Sequence, residues 1–202
     1  MKIFCIGRNY ADHVKELNND LPSEPMVFMK PTSALLIKNR HFFIPEFSND
    51  IHYEGEIVLK IGKNGKHIQP EFALSYIEGI GFGIDFTARD IQQKCKAAGH
   101  PWEIAKGFDK SAAISEFLPF EEFDANNIQI TTQLNGKVVQ DGNSQNMIFD
   151  FKDIIVHLSQ YFTLQMGDYI YTGTPAGVGQ VKIGDRIEGY INGTKMLKCD
   201  IM

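Results

Sequence analysis

Residues 79–85, GIGFGID, alternate between glycine and mostly apolar side chains, and this period of two constrains the fold more than any other feature of the chain. Side chains point to opposite faces along a β-strand, so the segment predicts a strand. One face comprises Ile80, Phe82 and Ile84, and the other comprises Gly79, Gly81, Gly83 and, at its end, Asp85. A strand with glycine at three alternate positions is intrinsically weak, so a packed strand or a ligand must approach its bare face closely.

Turn signals elsewhere predict more β-structure. Hairpin turns are predicted at residues 63–66, 135–136 and 192–193, because each contains Asn-Gly, whose residues tolerate positive φ. Further strands are predicted over residues 128–134, 169–171 and 186–191. We therefore expect a single domain over residues 1–202 in the α+β class, mainly β, built as a β-sandwich or roll with short peripheral helices.

Three short helices interrupt the predicted strands. They cover residues 10–17, a segment that starts after residue 87, and residues 150–160. The candidate caps are, in order, Asn9, Thr87 paired with Asp90, and Asp150. In the second helix, Ile91, Cys95 and Ala98 form the predicted apolar stripe, and Gly99 is expected to end the helix.

Composition and charge exclude several classes of protein. The net charge is −5 with Lys and Arg scattered among acids, so the chain lacks the basic stripe of a nucleic-acid binder. No apolar run approaches the ~20 residues that span a bilayer, and the N-terminus has no pattern of a signal or transit peptide. Cys5, Cys95 and Cys199 are odd in number and widely spaced, which argues against disulfides and a cysteine zinc site and predicts a cytoplasmic location.

Glu54 and Glu56 lie two residues apart in a segment that otherwise predicts a strand, so their carboxylates share one face, about 6.5–7 Å apart. A solvent-exposed strand edge would explain such a pair most simply. Asp85, at the end of the glycine face, changes the balance because it adds a third carboxylate. Three oxygen donors without a Cys or His pattern suit Mg²⁺ or Mn²⁺, and His52 is a weaker candidate ligand.

A second candidate constellation is the pair His13 and Glu16, three residues apart on the first predicted helix. Side chains at this spacing can meet. A surface pair with a small effect on stability is the simpler interpretation. The functional interpretation is a dyad in which Glu16 orients His13 and His13 takes a proton from water.

Other polar residues have open interpretations. Lys106 is isolated in sequence, and an isolated lysine is usually a solvated surface charge. Arg89 and Gln92 lie three apart on the second helix, and Arg89 could as easily neutralise Asp85 or Asp12 structurally. The segment TGTPAGVG lacks the ending of a P-loop, so we interpret it as a tight turn whose N–H groups and hydroxyls, at Thr172 and Thr174, could hold a carboxylate.

Several strings occur in an order that resembles the fumarylacetoacetate hydrolase family, and the chain is most similar to its short acylpyruvase-type members. They are IGRNYADHVKE, FMKP, HYEGEIVLKIGK, DFTARDIQ, WEIAKGFD, NGKVVQDG, SQNMIF and TLQMGDYIYTGTPAGVG. The resemblance implies a β-sandwich roll, usually a homodimer, with a Mg²⁺ or Mn²⁺ ion.

The resemblance also implies roles for individual residues. They are metal ligation by Glu54, Glu56 and Asp85; water activation by His13 and Glu16; charge stabilisation by Lys106; and substrate contact by Gln92, Thr174 and Arg89. The sequence departs from larger family members at Asn9, which is neutral where they carry a further acidic ligand.

The implied activity is cleavage of the C–C bond of 3-acylpyruvates by a metal-dependent hydrolase, which could also decarboxylate oxaloacetate. One alternative is an isomerase, decarboxylase or tautomerase of 2-oxo or 2-hydroxy-diene dicarboxylic acids such as 2-hydroxyhepta-2,4-diene-1,7-dioate. Another is a β-rich binding protein that uses the ion only for stability, in which case the dyad and Lys106 would be surplus. The expected partners are a small 2-oxo acid substrate and a second copy of the chain, and the charge and apolar patterns predict no nucleic acid or membrane partner.

Overall fold

β-Strands dominate the backbone in the structure, a computed structural model that describes residues 1–16, 20–37 and 40–202. Within these residues the strands are β1 Ile3–Gly7, β2 Met26–Lys30, β3 Leu35–Leu36, β4 Ile51–Tyr53, β5 Gly55–Ile61, β6 Ile77–Asp85, β7 Thr87–Ala88, β8 Ala112–Ile114, β9 Leu118–Pro119, β10 Gln129–Leu134, β11 Lys137–Asn143, β12 Tyr169–Tyr171, β13 Gly179–Gln180, β14 Arg186–Ile191 and β15 Thr194–Asp200. The α-helices are α1 Ala11–Glu16, α2 Arg89–Ala98, α3 Glu103–Lys106 and α4 Phe151–Tyr161.

The strands form three sheets. The largest has the order β2-β1-β12-β5-β6-β8-β3, with β9 also paired to β6, and it curls into a half-barrel. The second has the order β11-β10-β14-β15, and the third is the small sheet β13-β4-β7. The predicted α+β fold, mainly β with short helices, is confirmed, as are the strands predicted over residues 128–134, 169–171 and 186–191.

Two hydrophobic clusters pack against the opposite faces of β6. On the apolar face, the ring of Phe82 lies against Gly189 of β14, where an added Cβ would come within 2.2 Å of the ring. On the glycine face, Tyr171 covers Gly83, and Phe117 covers Gly81. The predicted close approach is present, but at Gly81 and Gly83 aromatic side chains make it, and not the packed strand or ligand that was expected.

Two of the three predicted hairpin turns are confirmed. Asn135-Gly136 joins β10 to β11 and Asn192-Gly193 joins β14 to β15, with positive φ at all four residues. The hairpin predicted at residues 63–66 is wrong. Gly65 instead forms an isolated bridge with Leu164, and the chain returns to β6 through a 3₁₀ helix at Pro70–Tyr76.

Helix α4 begins as predicted. Asp150 accepts a hydrogen bond from the backbone N–H of Asp153, whose side chain bonds back to the N–H of Asp150. This reciprocal pair satisfies two N–H groups that the first turn leaves without helical partners. Ile154, Ile155 and Leu158 are fully buried, as predicted for this helix.

The predicted start and stripe of α2 are only partly correct. The cap predicted from Thr87 and Asp90 is wrong, because the Thr87 hydroxyl donates to the carbonyl of Asp85 and Asp90 accepts from the Ser48 hydroxyl. Gly99 ends the helix with a φ of 66°, as predicted. Ala98 is exposed, and the buried face of the helix consists of Arg89, Gln92 and Cys95. Two polar residues therefore face inward, and they do so at the candidate site.

Asn9 was predicted to cap α1, but its side chain does not do so. Its amide donates to the carbonyls of Phe149 and Thr172, at 3.0 and 2.8 Å, and its Oδ1 accepts from the N–H of Phe149 at 2.8 Å. The side chain therefore ties the end of β1 to two distant segments. The predicted helix ran to residue 17, which lies outside the described residues.

Across the residues that the structure describes, no helix has both the length and the apolar character needed to cross a membrane.

Candidate active site

Three buried carboxylates converge where two sheets meet. Glu54 is the single residue between β4 of the small sheet and β5 of the large sheet, and Glu56 lies two residues on in β5. Asp85 ends the neighbouring strand β6 and donates its N–H to the carbonyl of Glu54 at 2.8 Å. One oxygen from each carboxylate lies within 4.8 Å of the others, and all three residues are buried. The exposed strand edge that would have explained Glu54 and Glu56 is therefore excluded.

Buried cations surround Glu54 and Asp85. Lys106 Nζ lies 2.6 Å from Glu54 Oε2 and 2.7 Å from Asp85 Oδ2, and the Arg89 guanidinium pairs with the other oxygen of Glu54. Burial alone would raise the pKa of Glu54, but Lys106 and Arg89 outweigh it and hold that pKa well below its usual range. Burial alone would lower the pKa of Lys106, but Asp85 and Glu54 raise it. Both partners are therefore charged at neutral pH.

Lys30 is a further cation at the site, and its side chain is fully buried. Its Nζ lies 2.7 Å from Asp85 Oδ1, yet its hydrogen bonds go to the Ser111 hydroxyl and to backbone carbonyls, including those of Lys106 and Ser111. Asp85 Oδ1 consequently has an ion pair but no directed hydrogen bond. A fully buried lysine needs such partners, because an unpaired ammonium would be costly to desolvate.

Glu56 differs from the other two carboxylates because no described cation contacts it. Its Oε2 accepts the N–H of Gly173 at 2.7 Å, and its side chain is buried. Burial, followed by the charges of Asp85 and Glu54, raises its pKa well above the ordinary value. A buried carboxylate in this state favours a proton or a cation. Together with the Asp85 oxygen that accepts no hydrogen bond and the all-oxygen donor set, this fits Mg²⁺ or Mn²⁺.

The predicted dyad is brought together at the same site. His13 Nδ1 lies 3.2 Å from Glu16 Oε2, and His13 is buried although Glu16 is partly exposed. The N–H of Gly177, in the glycine-rich turn, donates to both oxygens of Glu16 at 3.1 and 3.2 Å. Glu16 thus fixes the ring through Nδ1. His13 is not the solvated surface residue of the simpler interpretation.

The remaining predicted residues also lie at the site. Arg89 donates to Gln92 Oε1 at 2.7 Å, so the amide of Gln92 supports the guanidinium that pairs with Glu54. Thr174 lines the cavity, but its hydroxyl donates to the carbonyl of Gly55 at 2.9 Å and accepts from Gln140 at 2.8 Å. The Thr172 hydroxyl likewise donates to the carbonyl of Ile57 at 2.8 Å, so both turn hydroxyls bind backbone carbonyls within the protein. The carboxylates that the N–H groups of this turn hold are the protein's own Glu56 and Glu16.

These side chains enclose a cavity of about 40 Å³. Its charged part contains the carboxylates, His13, Arg89 and Lys106, and one wall is formed by Met26, Phe28 and Trp102. Lys106 Nζ lies 5.1 Å from the centre of the Phe28 ring, a cation–π contact. This volume is enough for an ion and bound water.

Comparison with known proteins assigns the chain. The family described as fumarylacetoacetate (FAA) hydrolase C-terminal matches residues 2–202. The mitochondrial oxaloacetate decarboxylase of Dictyostelium discoideum is 44% identical, over 95% of this chain and 89% of that protein. The mitochondrial oxaloacetate tautomerase FAHD1 of Bos taurus is 40% identical, over 98% and 90%. The chain belongs to the fumarylacetoacetate hydrolase family.

A solved structure gives the same assignment. The fumarylpyruvate hydrolase from Pseudomonas aeruginosa, in complex with Mn²⁺ and pyruvate, superposes with a TM-score of 0.95 at 35% identity. The match covers all of this chain and 89% of that one. That protein and the two mitochondrial relatives have enzyme names, which supports an enzyme for this fumarylacetoacetate hydrolase family member as well.

Sequence reasoning missed several residues that this family member places at the cavity. They are Arg8, Lys96 and Trp102, which line the cavity, and Lys30, which pairs with Asp85 behind it. The sequence did carry a signal for Lys30. This lysine ends the apolar strand β2 directly before a proline, which is an unusual position for a solvated lysine. Lys96 lies one helical turn beyond Gln92, which was itself predicted at the site, so its spacing also carried information.

Proposed function

We propose that the protein is a divalent-metal-dependent enzyme that acts on small 2-oxo acids, and that oxaloacetate is a substrate which it tautomerises and decarboxylates. The observation that carries the proposal is the buried triad of Glu54, Glu56 and Asp85 beside the His13–Glu16 pair. The names of the oxaloacetate tautomerase and decarboxylase relatives support the substrate. A protein that used an ion only for stability would not need a buried, oriented histidine at the ion.

The triad would hold Mg²⁺ or Mn²⁺. When bound, the ion supplies positive charge where negative charge develops on the keto oxygen of a 2-oxo acid. Lys106 adds a second positive charge at the same place, because its Nζ already bridges Glu54 and Asp85. The Phe28 and Trp102 rings exclude water from one side, which strengthens these electrostatic interactions.

His13 is the proposed proton carrier. Its Nδ1 is engaged by Glu16, which leaves Nε2 to accept or return a proton. For oxaloacetate, His13 removes a proton from the carbon between the keto group and the distal carboxylate and returns it on oxygen or carbon, so the keto and enol forms interconvert. Decarboxylation needs no proton removal, since loss of CO₂ itself generates the pyruvate enolate, which is protonated afterwards.

Hydrolysis of 3-acylpyruvates is a second candidate activity, favoured by the Gly177 contact that holds Glu16 against His13. His13 takes a proton from water, and the resulting hydroxide attacks the distal carbonyl. The C–C bond then breaks to release a carboxylate and the pyruvate enolate, which takes up a proton to give pyruvate. The fumarylpyruvate hydrolase neighbour supports this activity.

A substrate panel tests both proposals. The purified protein is supplied with Mg²⁺ or Mn²⁺, and the loss of enol absorbance is followed for oxaloacetate and for acetylpyruvate, together with pyruvate formation. EDTA should abolish turnover. Absence of turnover for every 2-oxo acid in the panel would refute the enzyme proposal and favour the metal-stabilised binding protein.

A histidine variant separates the three reactions. His13→Gln should slow tautomerisation and acetylpyruvate hydrolysis by about 10²–10⁴-fold, because both need a base. It should leave most of the oxaloacetate decarboxylation. His41→Gln is the matched control, since His41 is exposed and does not line the cavity. Equal loss of all three reactions would mean that His13 shapes the cavity and is not a dedicated base.

A further inference from the structure

Arg8 and Lys96 line the cavity without a protein counterion. Among the described residues, neither side chain has an ion pair or a hydrogen bond to a protein acceptor, and Lys96 contacts only an aromatic ring. In contrast, Lys106 and Arg89 pair with the triad carboxylates. Two cations at the cavity are thus left for something other than the protein.

The backbone of Arg8 adopts an energetically unfavourable conformation. Arg8 directly follows β1 and has a φ of 58°, in the left-handed region that non-glycine residues seldom adopt. The conformation persists because Asn9 is tied to Phe149 and Thr172 by three side-chain hydrogen bonds. Such over-determined backbone outliers cluster at ligand sites, where they fix the direction of a side chain.

Helix α2 brings Lys96 to the same part of the cavity. Lys96 lies four residues after Gln92 and seven after Arg89, so all three share one face of the helix. Its Nζ lies 5.4 Å from the centre of the Trp102 ring, which limits where the ammonium can point. Partial burial of this otherwise exposed side chain, followed by the positive charges of Arg8 and Arg89, lowers the pKa of Lys96, as expected where cations gather.

The charges at the cavity do not balance without a ligand. The buried cations Lys30, Arg89 and Lys106 equal the triad carboxylates in number, although all three pair with Glu54 or Asp85 and none contacts Glu56. Arg8 and Lys96 come in addition to this set and outnumber the Glu16 carboxylate beside His13, although the whole chain has a net charge of −5. The cavity therefore attracts anions with more than one negative charge, against the overall charge of the protein.

We infer that Arg8 and Lys96 form a subsite for the distal carboxylate of a dicarboxylic 2-oxo acid. The inference rests on the proposed function, in which the first carboxylate and the keto group of the substrate lie at the triad. The subsite makes dicarboxylic acids such as oxaloacetate better substrates than acylpyruvates with a neutral acyl group. Arg8 can bind a carboxylate through two N–H groups, whereas Lys96 contributes a point charge.

A binding experiment tests the subsite without turnover. L-Malate and L-lactate differ only in the distal carboxylate, and Trp102, the single tryptophan of the chain, lies in the cavity and reports binding by fluorescence. With Mn²⁺ present, malate should bind at least about tenfold more tightly than lactate. Lys96→Gln and Arg8→Gln should each weaken malate binding about 10- to 100-fold and leave lactate unchanged.

Lys94→Gln is the matched control, because Lys94 lies on the same helix but does not line the cavity. It should leave the Kd of both acids unchanged. Equal weakening of malate and lactate in Lys96→Gln, or no weakening of malate, would overturn the subsite. If Arg8→Gln does not fold, Lys96→Gln, on an exposed part of the helix, decides the question alone.

Turnover separates the subsite from the proposed function. In Lys96→Gln, the KM for oxaloacetate should rise about tenfold or more, with kcat little changed and acetylpyruvate kinetics as in the wild type. Equal losses for both substrates would overturn the subsite and leave the proposed function standing. If the wild type converts neither substrate but the Lys96→Gln variant binds malate more weakly than the wild type does, the proposed function is refuted and the subsite is supported.

Discussion

Replacing Glu56 by glutamine tests whether the triad is a cation site. Glu56 is the triad member without a contacting cation among the described residues, and burial with its acidic neighbours raises its pKa. Without metal, Glu56→Gln therefore removes an unfavourable charge, while the amide oxygen can still accept the N–H of Gly173. The metal-free variant should melt at the same temperature as the wild type or higher.

With metal, the order should reverse. A metal at one hundred times its Kd stabilises the folded wild type by about 2.7 kcal/mol. In a chain of this length, each kcal/mol moves Tm by about 2–4 °C, so the wild type should gain about 5–11 °C. Losing one of three carboxylate ligands should raise Kd about a hundredfold, and the same metal concentration then gives about 0.4 kcal/mol, or roughly 1 °C.

Thermal unfolding with Mg²⁺, Mn²⁺ or EDTA measures these shifts. Glu78→Gln is the control, because Glu78 is an exposed glutamate that pairs with Lys60; it should keep the full metal-dependent shift. An undiminished shift in Glu56→Gln would refute Glu56 as a ligand. If metal-free Glu56→Gln melts several degrees below the metal-free wild type, the Glu56 carboxylate stabilises the fold by itself. That result would contradict the expectation that its uncompensated charge is unfavourable.

Two predictions concern the surrounding fold. Asn9→Ala should lower the free energy of unfolding by about 2–4 kcal/mol, because it leaves backbone groups of Phe149 and Thr172 without partners; a loss under about 0.5 kcal/mol in urea denaturation would contradict this. Burial raises the pKa of Cys199 to about 12 and that of Cys5 well above its usual value. Both thiols should therefore stay protonated and react with a disulfide reagent about a thousandfold more slowly in native protein than in guanidinium, and fast native labelling of either would refute their burial.

The parts of the fold that were predictable are local in origin. The alternation in residues 79–85 and the Asn-Gly pairs at 135–136 and 192–193 each specify a strand or turn through a few neighbouring residues. Residues 63–66 carry the same Asn-Gly signal, but Gly65 pairs with Leu164, 99 positions away in the chain. Such a distant partner overrides the local preference, and no short-range pattern contains it.

At the site, residue types were easier to predict than the interactions between them. The spacing of Glu54 and Glu56 indicated convergent carboxylates, but not that Lys30 and Lys106 reach Asp85 from segments 55 and 21 residues away. Sequence spacing likewise could not reveal that Gly173 binds Glu56. The single-domain organisation, the homodimer and the cytoplasmic location stay predictions.

The position of Glu54 between two sheets limits how this chain can change in length. Side chains in β5 alternate: Glu56 faces the cavity with Val58 on the same side, whereas Ile57 and Leu59 belong to the main core. An insertion or deletion of one residue after Glu54 would turn Glu56 into that core and Ile57 into the cavity. Related chains should therefore vary in length in their loops but not here, and one with an altered spacing should have lost the ability to bind the ion.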